Sequence, residues 1–206
     1  VPLNSLVVLN DGPIKTISDL KGKKVGFSVG GFEEALLSGM LQKYNLNMSD
    51  VNLVNINFSL SPSLIAKKVD AVIGAFRNFE LNQMDIVNHP GRAFYPEEHG
   101  VPTYEELIYI ANKKNKNNPL FDKFFSAIQK ATLTIINDPV STWKDFSSFR
   151  KGLNDELNKR AYKDTISRFA LRPQAHDLKT YSNFSNFLKR KGIIKKITKV
   201  ETFAKP

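Results

Sequence analysis

VDAVIGAFRNFELNQMDIVNHPGRAFYPEEHGVPTYEE, residues 69–106, is the stretch whose reading decides the fold. It joins an unbroken apolar run, Val69–Phe76, to two polar clusters, Arg77–Glu80 and Tyr95–His99. A short apolar run bounded by turn residues reads as a strand buried on both faces of a parallel sheet. In open α/β sheets the ligand crevice lies beyond the carboxyl ends of the strands. Arg77, Asn78, Phe79 and Glu80 therefore leave the sheet where a ligand would sit. A second candidate strand, Arg92–Tyr95, brings Tyr95, Glu97, Glu98 and His99 to the same rim.

Working outward, Leu3–Leu9 is an apolar strand ending at the turn Asn10–Pro13, and Ser18–Lys23 a short polar helix. Lys24–Ser28 is the next strand. The pair Gly30–Gly31 opens a helix whose Phe32, Leu36, Leu37, Met40, Leu41 and Tyr44 recur at helical spacing. Asn52–Asn57 follows as a strand. Ser61 before Pro62 predicts an N-cap and first helical position, with a helix to about Lys67. This alternation predicts a parallel α/β sheet with right-handed crossovers. Leu107–Ala111 is one more expected strand, and then the texture changes. A helix from Asn118–Pro119 carries Phe121, Phe124, Phe125, Ile128 and Ile135 as an expected buried face. Pro139–Phe149, Asn154–Phe169 and Asp177–Lys191 are three further helices.

Composition excludes several chemistries. The 206 residues contain no cysteine, so thiol nucleophiles, disulfides and cysteine-ligated metals cannot be built from them. No stretch approaches the roughly 20 apolar residues of a membrane-crossing helix. The net charge is +10, but the basic residues are spread out, with local runs at Lys113–Lys116 and Lys189–Lys199. No nucleic-acid-binding signature accompanies them, and they read as a solvated surface.

Catalytic constellations are thin. The turn Val25–Ala35, VGFSVGGFEEA, lacks the second glycine of a dinucleotide fingerprint and the lysine of a phosphate loop. Glu33 and Glu34 already offset the dipole of the helix it opens. Gly30 and Gly31 serve either a tight turn alone or a turn that also contacts a ligand. His89, His99 and His176 are far apart, and no nucleophile elbow is present. Adjacent Glu97 and Glu98 in extended chain would face opposite sides, one toward a pocket. No catalytic residue, metal site or cofactor is expected.

Three segments together resemble a known family: LKGKKVGFSVGGFEEALL, VDAVIGAFRNFE and FYPEEHGVPTYEELIYIANK. They are similar to the thiamine-pyrimidine-precursor-binding proteins, solute receptors of ABC importers related to the fungal thiamine pyrimidine synthases. NDELNKRAYKDTISRFALRP and YSNFSNFLKRKGII extend the resemblance to the C-terminal helices, so it covers nearly the whole chain. It implies a type II periplasmic-binding-protein-like α/β fold of two lobes with extra C-terminal helices. Residues 12–104 would form the second lobe. Residues 1–11 and 105–206 would supply hinge strands and the remainder of the first lobe, whose N-terminal part would precede Val1.

The implied function is to bind a formylated or hydroxymethylated aminopyrimidine and deliver it to an importer permease. The implied location is periplasmic or otherwise extracytoplasmic, at the membrane only through the permease or a lipid anchor. A flat ring is gripped by aromatic faces and its exocyclic amine by a carboxylate or amide. The expected ligand contacts are Tyr95, Glu97, Glu98, Asn78, Glu80, Gly30, Gly31 and Phe32, with Tyr95 and Glu97 foremost. A receptor of the same fold for another heterocycle or a sulfonate is the alternative. A synthase-like enzyme is a further one, but the fungal synthases carry a cysteine-rich iron motif that these residues cannot form.

Overall fold

The computed structural model describes residues 2–115, 117–173, 175 and 177–204. Lys116 and His176, noted in the sequence, lie outside the described residues. The chain opens with strand β1 (Asn4–Leu9), followed by β2 (Lys24–Phe27), helix α1 (Phe32–Gln42) and β3 (Asn52–Asn55). Helix α2 (Leu60–Ile65), β4 (Ala71–Phe76), helix α3 (Glu80–Ile86) and β5 (Gly91–Phe94) complete the α/β part. Four helices follow: α4 (Leu120–Asn137), α5 (Pro139–Phe149), α6 (Glu156–Ile166) and α7 (Leu178–Arg190).

The five strands form one sheet in the order β3-β2-β4-β1-β5. β2 pairs in parallel with β3 and β4, whereas β1 runs antiparallel to both β4 and β5. The all-parallel expectation is corrected on this point. Residues 1–11 thus supply a strand inserted between β4 and β5. Its register pairs Asn4 with Phe76, so the start of β1 lies at the carboxyl end of β4.

Period-two alternation explains how one sheet supports two cores. Leu6 and Val8 of β1, Val25 of β2, and Ala71 and Ile73 of β4 face α1, where Leu36, Leu37, Met40 and Leu41 are fully buried. Val7, Val72 and, past the register shift at Gly74, Ala75 face the other way, against Leu60 and Leu64 of α2 and Met84 of α3. β4 is covered on both faces, as its unbroken apolar run requires.

Several local expectations shift. Helix α2 starts one residue before Ser61, with Ser59 as its N-cap, so Pro62 occupies the third helical position. Pro62 fits there because the first-turn N–H groups have no intrahelical partner. The strand expected at Arg92–Tyr95 is Gly91–Phe94, and the polar stretch from Glu80 winds into α3, a helix not among the expected elements. Leu107–Ala111 forms no strand and exposes Leu107, Ile108, Tyr109 and Ile110. Among the described residues no neighbouring strand pairs with that segment. Phe124 of α4 is exposed, Phe121, Phe125, Ile128 and Ile135 are only partly covered, and Thr132 is the buried residue of that helix. The amphipathic pattern is real, but little packs on its apolar face.

The later helices return to the sheet. Caps set their starts: Asp138, Asp155 and Asp177 accept the backbone N–H of Ser141, Asn158 and Lys179 respectively. On α6, Arg160 pairs with Asp85 of α3 at 2.6 Å, and Asp164 accepts from Asn82 at 2.7 Å. On α7, Phe187 enters the α1 core against Gly39, where a Cβ would collide with its ring. Lys191 then donates to Ser38 and Gln42 of α1.

Candidate functional site

At the carboxyl edge of the sheet β4 releases Arg77, β2 releases Ser28, and β1 enters through Asn4. Arg77 is buried and forks onto Glu97, with Nη1–Oε1 at 2.7 Å and Nη2–Oε2 at 3.0 Å. Its Nη2 also donates to the carbonyl of Asn4 at 3.0 Å, and its guanidinium lies 3.9 Å from the centre of the Tyr95 ring. A planar guanidinium suits this double role, since it matches a carboxylate bidentately and stacks on an aromatic face. Tyr95 and Glu97 are brought together, with Arg77 as the residue that joins them.

Pro96–Glu98 is a single 3-10 turn rather than extended chain. Glu97 is partly buried and Glu98 exposed, so one carboxylate faces in and one out. The backbone carbonyl of Glu98 accepts from Lys43. His99 sits beside it, its Nδ1 2.8 Å from the Tyr44 hydroxyl and its ring against Phe94. Burial and the nearby Lys43 hold His99 below the usual imidazole value.

The turn between β2 and α1 is tied by its own carboxylates. Gly31 has φ +81, a conformation that favours glycine, and its N–H donates to Glu34 at 2.8 Å. Ser28 and Val29 donate their N–H groups to Glu33 at 2.7 and 3.1 Å. Burial pushes the Glu33 carboxyl up, and Glu106 and Glu34 add to the shift. Phe32, next to the two glycines, meets Tyr104 edge-on at 5.6 Å, and Tyr104 stacks on Phe184 of α7 at 4.5 Å. The Tyr104 hydroxyl donates to Glu106 at 2.8 Å, and burial pushes it far above the usual phenol value, so it stays a neutral donor. Glu106 also accepts the N–H groups of Leu3 and Asn4.

Two expected contacts turn elsewhere. Glu80 accepts the N–H of Phe76 at 2.6 Å, and burial raises its carboxyl. Asn78 donates to Thr165 of α6 at 2.8 Å, and its own Oδ1 is enclosed without a partner. Both serve the junction of β4, α3 and α6. Conversely, Arg77, Glu33, Asn4 and Glu106 belong to the rim and were not among the expected contacts. Asn4 carried a signal, because asparagine is depleted from strands and stands alone in LNSLVVL. Among the described residues no group of three or more His, Asp or Glu side chains could hold a metal ion.

Comparison with known proteins follows the same lines. The profile of the family described as NMT1/THI5 like matches residues 1–142. A Haemophilus influenzae protein named for thiamine biosynthesis is 47% identical over 204 residues, covering 98% of this chain and 65% of that protein. The 4-amino-5-hydroxymethyl-2-methylpyrimidine phosphate synthase of Schizosaccharomyces pombe is 26% identical, covering 94% of this chain and 58% of that protein. The formylaminopyrimidine-binding protein of Halalkalibacterium halodurans is 27% identical, covering 67% of this chain and 42% of that protein. The chain thus spans less than two thirds of the length of each. Among solved structures, the periplasmic aliphatic sulphonate binding protein of Escherichia coli superposes with a TM-score of 0.74 at 14% identity, covering 99% of this chain and 65% of that one. At that identity the likeness is one of fold, and it agrees with a periplasmic-binding-protein-like α/β architecture.

Proposed function

The chain belongs to the NMT1/THI5-like family, and from that premise we propose that it is the solute-binding part of an importer for a thiamine pyrimidine precursor. The observation that carries this reading is the charge state of the rim. Its guanidinium is already paired with Glu97, and three N–H groups of the β2–α1 turn already bind Glu33 and Glu34. A sulfonate or phosphate would find carboxylates where it needs donors. A heterocycle bearing an amine finds acceptors, together with aromatic faces in Tyr95 and Phe32. In this reading Tyr95 covers the ring, Arg77 holds Tyr95 and Glu97 in place, and Gly30, Gly31 and Phe32 form the adjoining wall. Glu98, exposed at the same turn, is the outer polar contact.

The relatives named for binding a formylaminopyrimidine and for making a hydroxymethylpyrimidine phosphate support the ligand class. These 206 residues hold no cysteine, so an iron motif of the synthase kind would have to lie outside them. In this reading the partner is an importer permease and the location extracytoplasmic. The division into a lobe of residues 12–104, whose sheet takes in β1 from the preceding residues, and a return through 105 onward belongs to the same proposal. The exposed Leu107, Ile108 and Ile110 would then lie against sheet supplied by the part of the relatives' length outside the match.

Calorimetry on the full-length protein tests the function. A hydroxymethyl- or formylamino-pyrimidine should bind at micromolar Kd or tighter, roughly 8 kcal/mol or more. An alkanesulfonate should bind at least a hundredfold more weakly. The reverse order of affinities would hand the site to the sulfonate reading.

A further inference from the structure

Two of the most buried polar side chains of the α/β part converge on one glycine of β4. Glu33 is 5% exposed and Asn4 2% exposed. Gly74 has φ +105, and a Cβ there would overlap the Glu33 carboxylate. The N–H of Gly74 donates to Asn4 Oδ1 at 3.2 Å, in place of a ladder bond, where the β1–β4 register shifts between Ser5 and Leu6. Glycine at 74 therefore lets a carboxylate from the β2–α1 turn lie on the sheet.

Only one Glu33 oxygen is committed. Oε2 takes the N–H groups of Ser28 and Val29, while Oε1 has no hydrogen-bond partner among the described residues. Asn4 is in the same position: Oδ1 is engaged and Nδ2 has no acceptor among them. Neither atom is sealed in. Among the described residues the enclosed, unpartnered side-chain atoms are instead Ser61 Oγ, Asn78 Oδ1 and Arg168 Nε. Tying the turn needs one carboxylate oxygen, and that role leaves the second unexplained. A buried polar atom left without a partner is costly, so a reachable acceptor and donor at one spot define a place for a complementary group.

We propose that Glu33 and Asn4 form the polar floor of the ligand site, with Glu33 Oε1 accepting an N–H of the solute's exocyclic amine and Asn4 Nδ2 donating to the adjacent ring nitrogen. This rests on the aminopyrimidine reading above and names the side chains that read its amine edge. An acceptor beside a ring-nitrogen-directed donor matches the donor–acceptor edge of a 4-aminopyrimidine. It does not match an anion, which would meet Glu33 and the neighbouring Glu106 together. Burial makes the Glu33 charge costly, so a donor delivered by the ligand offsets desolvation already incurred.

The test is Glu33→Gln on the full chain, titrated with 4-amino-5-hydroxymethyl-2-methylpyrimidine and with its analogue lacking the 4-amino group. Glutamine keeps an oxygen for Ser28 and Val29 but turns a donor toward the ligand amine. We expect about a tenfold or greater loss for the aminopyrimidine, little change for the analogue, and an unaltered melting temperature without ligand. Wild type should bind the analogue at least tenfold more weakly than the aminopyrimidine, a comparison that stands even if the variant fails to fold. Equal affinities of wild type for the two compounds, or equal affinity of both proteins for the aminopyrimidine, would overturn the assignment and leave the proposed function intact. A wild-type protein binding neither compound would overturn both.

Discussion

Residues 2–104 and 105–204 are built from similarly patterned segments, yet only the first part encloses its apolar faces. In the α/β part both faces of the sheet are covered, and Leu6, Leu36, Leu37, Met40, Leu41 and Ile73 are fully buried. In the helical part α5 has no buried residue, and Phe149 and Ile110 are 76% and 88% exposed. Amphipathic periodicity makes a helix, but its stability comes from what covers the apolar face. The charge follows the same division. Residues 1–104 carry nine basic and ten acidic side chains, and residues 105–206 carry twenty-one and ten, so the positive charge belongs to the helical part. The helices are held mainly where α6 meets α3 and where α7 enters the α1 core.

The sharpest way to test this contrast is to remove the fastening of the α/β rim. Arg77→Ala leaves the Glu97 carboxylate unpaired and frees the start of β1, and should cost about 3–5 kcal/mol in urea unfolding. A loss below about 1 kcal/mol would show that the rim is solvated and that the pair does not fasten the sheet. Next in size is a matched pair of truncations. Leu36→Ala should cost about 2–5 kcal/mol, whereas Phe149→Ala should change stability by no more than about 0.5 kcal/mol. Similar losses in the two variants would mean that Phe149 is covered in solution.

A smaller effect separates the parts kinetically. Asp155→Ala removes the N-cap of α6 and should cost that helix about 1 kcal/mol. Hydrogen exchange should accelerate in α6 and leave β4 unaltered if the helical part opens independently. The smallest effect concerns His99. Its folded value lies below the usual imidazole value, so the stability it contributes is present above that value and lost as pH falls through it toward the lower folded one. The melting temperature should therefore drop slightly between pH 7 and 5, and His99→Gln should remove part of that drop. Tyr44, Lys43, Glu97, Glu98 and Phe94 are the groups facing the ring; an unchanged pH profile in the variant would place the titration in one of the carboxylates instead.

The amino-acid pattern by itself determined the alternation of strands and helices, the doubly buried Val69–Phe76 run and the meeting of Arg77 and Tyr95–Glu98 at one rim. It also carried the family. These are local properties, set by apolar spacing and turn residues over ten to twenty positions. Tertiary structure decided the direction of β1, the missing strand at 107–111, the pairing of Glu97 with Arg77 and the seating of Glu33 over Gly74. Asn4 and Gly74 are seventy positions apart and Glu33 and Gly74 forty-one, so no window of sequence holds both partners. The same carboxylate can cap a helix, tie a turn or await a ligand, and only the atoms that the fold brings within about 3 Å choose among these roles.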